Sequence, residues 1–243
     1  MDVPYLSLVI PAFNEERRIL PTLQKITDYL VSQSYSWTVL VVDDGSSDRT
    51  AELVMGIAEE HARVGVLSVP HGGKGAAVRA GMLHVTGEYR FMCDSDLSMP
   101  IEQIERFLPP KLTEFDVAVG SREAPDANRY NESRFRHLQG RIFNRFAQVA
   151  AVPGINDTQC GFKCFRSDVV QSLFSTQRLL GWGFDVELLF LARRWGLRVV
   201  EVPIDWHHDA DSRARRFRDG LGMGLDVLRV RANALLGKYR GLP

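Results

Sequence analysis

The sequence predicts an α/β protein built on a mostly parallel sheet with helices on both faces. Three observations carry this. Over the first 120 residues, short apolar runs alternate with segments of helical periodicity, the pattern of strand–helix–strand units. The early runs, Leu6 to Ile10 (LSLVI) and Trp37 to Val42 (WTVLVV), are near-continuously apolar, as strands buried on both faces must be. Each run stops at polar, acidic or glycine-rich residues, and ligands of such sheets bind at the carboxyl ends of the strands.

The elements follow in order. After the first strand and Pro11-Ala12-Phe13-Asn14-Glu15, the residues Ile19, Leu20, Leu23, Ile26, Leu30 and Val31 recur at helical spacing. The second strand stops at Asp43-Asp44-Gly45-Ser46-Ser47-Asp48, where Asp48 is placed to cap a helix through Thr50, Leu53, Val54, Ile57 and Ala58. Val64 to Val69 is a third strand, followed by Gly72-Gly73-Lys74-Gly75 and a helix from Ala76 to Val85. Tyr89 to Cys93 is a fourth strand, ending at Asp94-Ser95-Asp96. Pro100 suits the first turn of a helix over Ile101 to Leu108. Phe115 to Val119 is a fifth strand, ending in Gly120-Ser121-Arg122.

The second half is less regular. Ala124 to Arg134 is polar and reads as a mobile loop, and Leu138 to Val149 as a helix carrying Arg141 and Arg145. Gly154 to Phe165 reads as a loop and a short strand, Asp168 to Phe174 and Val186 to Trp195 as helices, and Val199 to Ile204 as the last strand. Leu221 to Leu236 is a terminal helix with Leu221, Leu225, Leu228, Ala232 and Leu235 on one side. No repeat or linker interrupts the 243 residues. One domain is expected, with a regular first half over residues 1–120 and a specialised second half over 121–243.

Composition narrows the function. At 45% hydrophobic and 25% charged, the chain is an ordinary globular protein, and Lys plus Arg balance Asp plus Glu at 30 each, so nothing points to nucleic acid. Cys93, Cys160 and Cys164 lack a zinc-like pattern and read as reduced, buried thiols of a cytosolic protein. No apolar run reaches the ~18 residues of a membrane span, so membrane contact is expected to be peripheral, at the cytoplasmic face, or through a partner.

Chemistry concentrates after the strands. Asp94 and Asp96 are two acids at the end of a buried strand, a costly arrangement without a compensating cation. Hard divalent cations take one or two carboxylates plus substrate phosphates, so a metal–diphosphate site is one reading and a helix cap the other. Asp43 and Asp44 either accept hydrogen bonds from a base or ribose or belong to a turn. Gly72 to Gly75 allows close backbone approach, with Lys74 on a phosphate; the phosphate-loop and dinucleotide-binding glycine patterns are absent. Arg122, Lys163, Arg213, Arg215 and Arg216 are candidate phosphate ligands or solvated cations. Asp185 and Glu187 open an apolar helix, where acids complement the dipole or serve as a general base.

Together these motifs resemble the family 2 glycosyltransferases over roughly Leu6 to Ser212. The resemblance rests on Val9-Ile10-Pro11-Ala12-Phe13-Asn14-Glu15, Val41-Val42-Asp43-Asp44-Gly45-Ser46, Gly73-Lys74-Gly75-Ala76 and Asp94-Ser95-Asp96-Leu97-Ser98. Asp157-Thr158-Gln159-Cys160-Gly161-Phe162-Lys163 and Phe184-Asp185-Val186-Glu187-Leu188-Leu189 look like motifs of the dolichyl-phosphate β-glucosyltransferase subgroup, with the mannose synthases close by. The resemblance implies a GT-A fold and inverting transfer from a nucleotide sugar, UDP-glucose or GDP-mannose, to a polyprenyl phosphate, with Mg²⁺ or Mn²⁺. It implies that Pro11 and Glu15 frame the nucleotide, Asp43 and Asp44 contact base or ribose, and Lys74 sits near the donor. Asp94 and Asp96 would hold ribose and metal, and Gln159 would bind substrate. Asp96 and Asp185 are the catalytic candidates, Asp185 being a base for an alcohol acceptor and a positioning group for a phosphate. Eukaryotic members of the subgroup carry an N-terminal membrane segment, whereas here the first strand starts at Leu6. A soluble saccharide or other alcohol is the rival acceptor; a nucleotidyltransferase and a non-catalytic binding protein are the rival classes. Arg213, Arg215, Arg216 and Arg218, ahead of the apolar-striped terminal helix, are expected to approach an anionic membrane surface.

Overall fold

The strand β1 (Leu6–Ala12) lies near the middle of the sheet and serves two cores at once. Leu6, Leu8 and Ile10 point into one apolar layer and Val9 into the other, the alternation that a two-sided strand imposes. The computed structural model describes residues 3–208 and 216–239, with side chains for all of these except 134, 136 and 216–221. Parallel pairing joins β1 to β2 (Trp37–Asp43) and β4 (Tyr89–Cys93), and β3 (Val64–Ser68) lies outside β2. Beyond β4 come β7 (Phe162–Arg166), β5 (Val117–Ser121) and β8 (Val199–Pro203), giving the order β3-β2-β1-β4-β7-β5-β8. Both parts of the chain therefore contribute strands to one sheet.

One face is covered by α1 (Ile19–Val31), α2 (Thr50–Glu60) and a 3₁₀ helix, Ile101–Phe107. The opposite face carries α3 (Lys74–His84), α5 (Ser167–Thr176) and α6 (Phe184–Arg194). Buried residues of α4 (Arg134–Ala150) and α7 (Arg216–Leu235), among them Ala147, Val227 and Val230, join that second core.

The mostly parallel sheet is as the sequence predicts, with one reversal. β7 runs antiparallel between β4 and β5, and Phe162 stands opposite Cys93. A reversed strand starts where its neighbours end, so residues 157–161 arrive at the carboxyl edge beside Asp94. Other differences are local. The segment Ile101–Phe107 winds as a 3₁₀ helix, held by Gln103, whose side-chain amide exchanges hydrogen bonds with the backbone of Asp205 at 2.7 and 2.8 Å. The polar stretch read as a loop contains β6 (Asn128–Tyr130), which pairs in parallel with β9 (Asp205–His207). Its charges are satisfied locally: Arg129 bridges Glu123 and Glu132. The fifth strand begins at Val117 rather than Phe115, and α4 and α7 begin four or more residues earlier than their apolar stripes suggest.

α3 sits close on the sheet because Gly81 has no side chain. A Cβ there would lie 2.5 Å from Val9 Cγ1 and 2.7 Å from Val42 Cγ2. In an exposed helix, Gly→Ala is stabilising by about 1 kcal/mol. Here overpacking, typically about 1–3 kcal/mol, outweighs it. Gly81→Ala is expected to lower the urea unfolding midpoint; a midpoint at or above that of the wild type would show that α3 retreats without cost.

Candidate active site

The loops after β1 and β2 are knitted together by their own polar side chains. Asn14 takes a left-handed backbone (φ 55°), which asparagine tolerates, and its Oδ1 accepts hydrogen bonds from the N–H groups of Ser47 and Asp48. In return Ser46 Oγ accepts from Asn14 N–H, and Thr50 Oγ1 from Glu15 N–H. Asp48 Oδ1 accepts from Thr50 N–H at the start of α2, close to its expected capping role. Asp43, nearly buried at the end of β2, faces the Ser46 N–H at 3.3 and 3.4 Å. Pro11 pairs in register with Val42 beside it, and Glu15 is bridged by Arg18 at 2.7 Å. Pro11, Glu15 and Asp43 thus share one edge.

Asp44 has a different task from the base or ribose contact expected of it. Its carboxylate is buried and accepts the N–H groups of Gly72 (2.8 Å) and Gly73 (2.9 Å), with His71 Nδ1 at 2.9 Å. These bonds shape the glycine loop that ends at Lys74, the first residue of α3. Lys74 Nζ lies 2.6 Å from Asp94 Oδ1 and 5.2 Å from the centroid of the Trp182 ring. Burial works against its ammonium, but Asp94, Asp185 and Asp96 outweigh that and hold its pKa above the ordinary lysine value.

Asp94 and Asp96 leave β4 in a tight turn. Thr22 donates to the carbonyl of Ser95 at 2.6 Å, Leu97 is left-handed (φ 46°), and Ser98 N–H donates to Asp96 Oδ1 at 2.9 Å. Asp94 rests on Gly161: a Cβ at that position would fall 1.9 Å from Asp94 Oδ2. The Asp96 carboxyl is pushed up, first by burial and then by the negative charge of Asp94, with the Ser98 N–H opposing. Among the described residues, no group of three or more His, Cys, Asp or Glu side chains could hold a metal by itself. Two carboxylates with incomplete charge compensation do suit a hard divalent cation that draws its remaining ligands from a substrate diphosphate.

The second half corrects two expected phosphate ligands. Lys163 is fully buried, and its Nζ donates to Asp185 Oδ1 and to the Cys160 carbonyl, each at 2.5 Å. Arg122 forms a bidentate pair with Asp157, at 2.7 and 2.9 Å, and its own N–H donates to the same carboxylate at 3.0 Å. Both cations neutralise buried acids 22 and 35 residues away in sequence. Asp185 is buried, and burial raises its carboxyl against the pull of Lys163 and Lys74. Glu187 is likewise internal, accepting from Tyr239 Oη and the N–H groups of Arg178 and Leu179. Gln159 Nε2 is buried without a hydrogen-bond partner. Arg213 and Arg215 lie outside the described residues.

Three contributors were given no role by the motif reading. Trp182 stands partly exposed beside Lys74 just before α6. Gly161 seats Asp94. The β6–β9 ribbon reaches the site because His207 N–H donates to Ser98 O at 2.7 Å, and Tyr130 stacks on the His207 ring at 4.5 Å. Of these, only Gly161 had a cue in sequence, a glycine at the head of an apolar strand.

The Arg122–Asp157 pair makes stability depend on acid pH. Burial alone would raise Asp157, but the Arg122 charge and its hydrogen bonds dominate and hold the carboxyl at about 2. A carboxyl depressed on folding stabilises the protein above its unfolded pKa near ~3.9, and that contribution disappears as pH falls through the folded value. The depression amounts to about 2 kcal/mol. Between about pH 5 and about pH 2, wild type is expected to lose about 2 kcal/mol more in urea unfolding than Asp157→Asn does. Parallel pH profiles for the two proteins would refute this.

With this geometry in view, the chain was compared with known proteins. The family profile described as Glycosyl transferase family 2 matches residues 7–174. The dolichyl-phosphate beta-glucosyltransferase ALG5C of Trichomonas vaginalis is 36% identical over 93% of this chain and 70% of its own length. The dolichyl-phosphate beta-glucosyltransferase of Homo sapiens is 32% identical over 97% and 77% respectively. In fold, the chain is similar to glucosyl-3-phosphoglycerate synthase from Mycobacterium tuberculosis, crystallised with Mn²⁺ and UDP-glucose (TM-score 0.64, 20% identity, 99% of this chain and 80% of that one). It is also similar to mannosyl-3-phosphoglycerate synthase from Rubrobacter xylanophilus (TM-score 0.67, 19% identity, 99% and 77%). The architecture is the GT-A fold, and the chain is a glycosyltransferase that belongs to glycosyl transferase family 2.

Proposed function

We propose that this chain transfers glucose from UDP-glucose to a polyprenyl or dolichyl phosphate, with inversion at the anomeric carbon and with a divalent cation, Mg²⁺ or Mn²⁺. The observation that carries the proposal is the pairing of Lys74 with Asp94, next to Asp96, at the carboxyl edge of the sheet. The names of the relatives support the glucosyl donor and the lipid-phosphate acceptor. The fold neighbour crystallised with Mn²⁺ and UDP-glucose supports a metal-bound nucleotide sugar. In this reading residues 1–120 receive the donor and residues 121–243 the acceptor.

Pro11, Glu15 and Asp43 frame the nucleotide, and Asp44 acts through the loop that places Lys74. Asp94 and Asp96 would hold the cation, which when bound neutralises charge on the departing diphosphate. Lys74 adds a fixed positive charge on the same side. An acceptor phosphate oxygen forms the new bond to the anomeric carbon as the bond from that carbon to UDP breaks, the electron pair leaving with UDP. A lipid phosphate has its second pKa near ~6 and is largely ionised at neutral pH, so no proton must be removed. That agrees with Asp185 being buried against Lys163, as a positioning group rather than a base. Gln159, whose buried Nε2 has no hydrogen-bond partner, lies in the loop before β7, and we assign it a substrate contact. Three free, buried cysteines suit a reducing compartment, and we assign the reaction to the cytoplasmic side. No helix among the described residues is long and apolar enough to cross a membrane, so contact with the lipid would be peripheral.

The test is to incubate the protein with UDP-glucose, GDP-mannose, a polyprenyl phosphate and Mn²⁺, and to identify the product by mass spectrometry. Glucosyl polyprenyl phosphate is expected, and excess chelator should abolish it. Asp96→Asn should lower kcat/KM by about 10²–10³. Calorimetry should show UDP binding more tightly than GDP. Full activity of Asp96→Asn in chelator, or a mannosyl product, would overturn the assignment. If Asp185 positions, the acid limb of the wild-type pH profile follows the acceptor phosphate near ~6 and persists in Asp185→Asn. A limb that vanishes in Asp185→Asn would make it the base.

A further inference from the structure

Two neighbouring helices carry large apolar side chains on the side that faces away from the protein. On α4, Phe135, Leu138, Ile142, Phe146 and Val149 recur at three- and four-residue spacing, and all are exposed, Ile142 at 62% and Val149 at 76%. The side of α4 that meets the core is a separate set, Phe143, Asn144 and Ala147. The helix is thus apolar on its outer face as well as its inner one, which packing alone does not call for. The helix α7, which packs against α4, repeats the arrangement: Val227 and Val230 are buried, while Leu225, Leu228 and Leu235 are exposed.

Charge selects the partner. The α4 sequence holds four arginines and no acid, and Arg141 and Arg145 are exposed beside the stripe. In α7 Arg229 and Arg231 are exposed, and Asp226, the acid of this helix whose side chain is described, is already paired with Arg229 at 2.9 Å. A surface that is both apolar and cationic would set arginine against arginine if two copies of the chain met on it. It fits a layer with an anionic rim and an apolar interior. We infer that α4 and α7 form a docking surface for an anionic lipid bilayer, with both helices lying in its interface.

The surface adjoins the active site. α4 follows the β6–β9 ribbon, which bonds to Ser98 two residues after Asp96. α7 touches the residue after Trp182: a Cβ on Gly183 would lie 2.4 Å from Asp226 Cβ. This inference rests on the reading that the acceptor is a lipid phosphate and deepens it by stating how the protein meets the membrane. It adds α4, a helix that the sequence marked only for its two arginines, to the apolar-striped terminal helix.

The experiment is co-sedimentation of the full chain with vesicles of phosphatidylcholine, with and without phosphatidylglycerol. Wild type is expected to bind the anionic vesicles and to be released by salt. Leu138→Glu/Ile142→Glu should weaken binding about tenfold or more, and Arg141→Gln/Arg145→Gln about fivefold per arginine on anionic vesicles only. Circular dichroism and UDP titration should be unchanged, since these side chains point away from the core. Absence of wild-type binding to anionic vesicles, or variants that bind within about twofold of it, would overturn the inference. So would a wild-type dimer that Leu138→Glu/Ile142→Glu dissociates, because the occupant would then be a second copy. Vesicle binding without glucosyl transfer to polyprenyl phosphate would refute the proposed function and leave the docking surface standing. Transfer to a short, water-soluble prenyl phosphate without vesicle binding would do the reverse.

Discussion

The structure depends most on how it tolerates two carboxylates at the end of a buried strand. Asp94 and Asp96 leave β4 directly after the buried residues Phe91, Met92 and Cys93, close to one another, and burial pushes the Asp96 carboxyl up. Lys74 answers one of them at 2.6 Å. Placing that ammonium requires the glycine loop, the glycine loop requires the buried Asp44, and Asp44 requires β2 to end beside β1. The register of the sheet and the chemistry of the site are therefore one problem, solved by the same loops.

In the second half, the same physics produces internal pairs. Lys163 with Asp185, Arg122 with Asp157, and Glu187 with Tyr239 are each enclosed and each satisfied. Breaking a buried pair by removing one member leaves an uncompensated charge and typically costs about 3–5 kcal/mol. Such pairs hold the segments that carry them in fixed positions. The motifs that look most chemical in this half, Asp157 to Lys163 and Phe184 to Leu189, are thus largely scaffolding around a small number of exposed groups, Trp182 foremost.

Much of this was legible in the sequence. Strand positions, the order of helices and the clustering of polar residues at one edge follow from apolar periodicity, which local side-chain chemistry dictates. The gathering of Pro11, Asp43, Asp94 and Asp96 at that edge was legible for the same reason, since a strand's carboxyl end is fixed once the strand is. The misreadings share another cause. Lys163 and Arg122 looked like free cations because their acids stand 22 and 35 residues away, and no local pattern encodes such pairing. Asp44 looked like its neighbour Asp43, although one residue's difference turns its carboxylate onto the N–H groups of Gly72 and Gly73. The reversal of β7 has no periodic signature, because an antiparallel strand buried on both faces reads like a parallel one. The outward stripe of α4 was hidden for a similar reason: apolar spacing identifies a helix face without saying whether protein or something else lies against it.

Gly161 carries a mechanical consequence. It lies immediately before β7, the strand that runs against its neighbours, and its backbone packs on the Asp94 carboxylate with no side chain of its own between. Side chains act as compliant spacers, rotating between wells when their surroundings shift. Where none intervenes, a displacement of β7 reaches the carboxylate undiminished. The place of the Asp94 carboxylate is thus tied directly to the backbone that leads into β7.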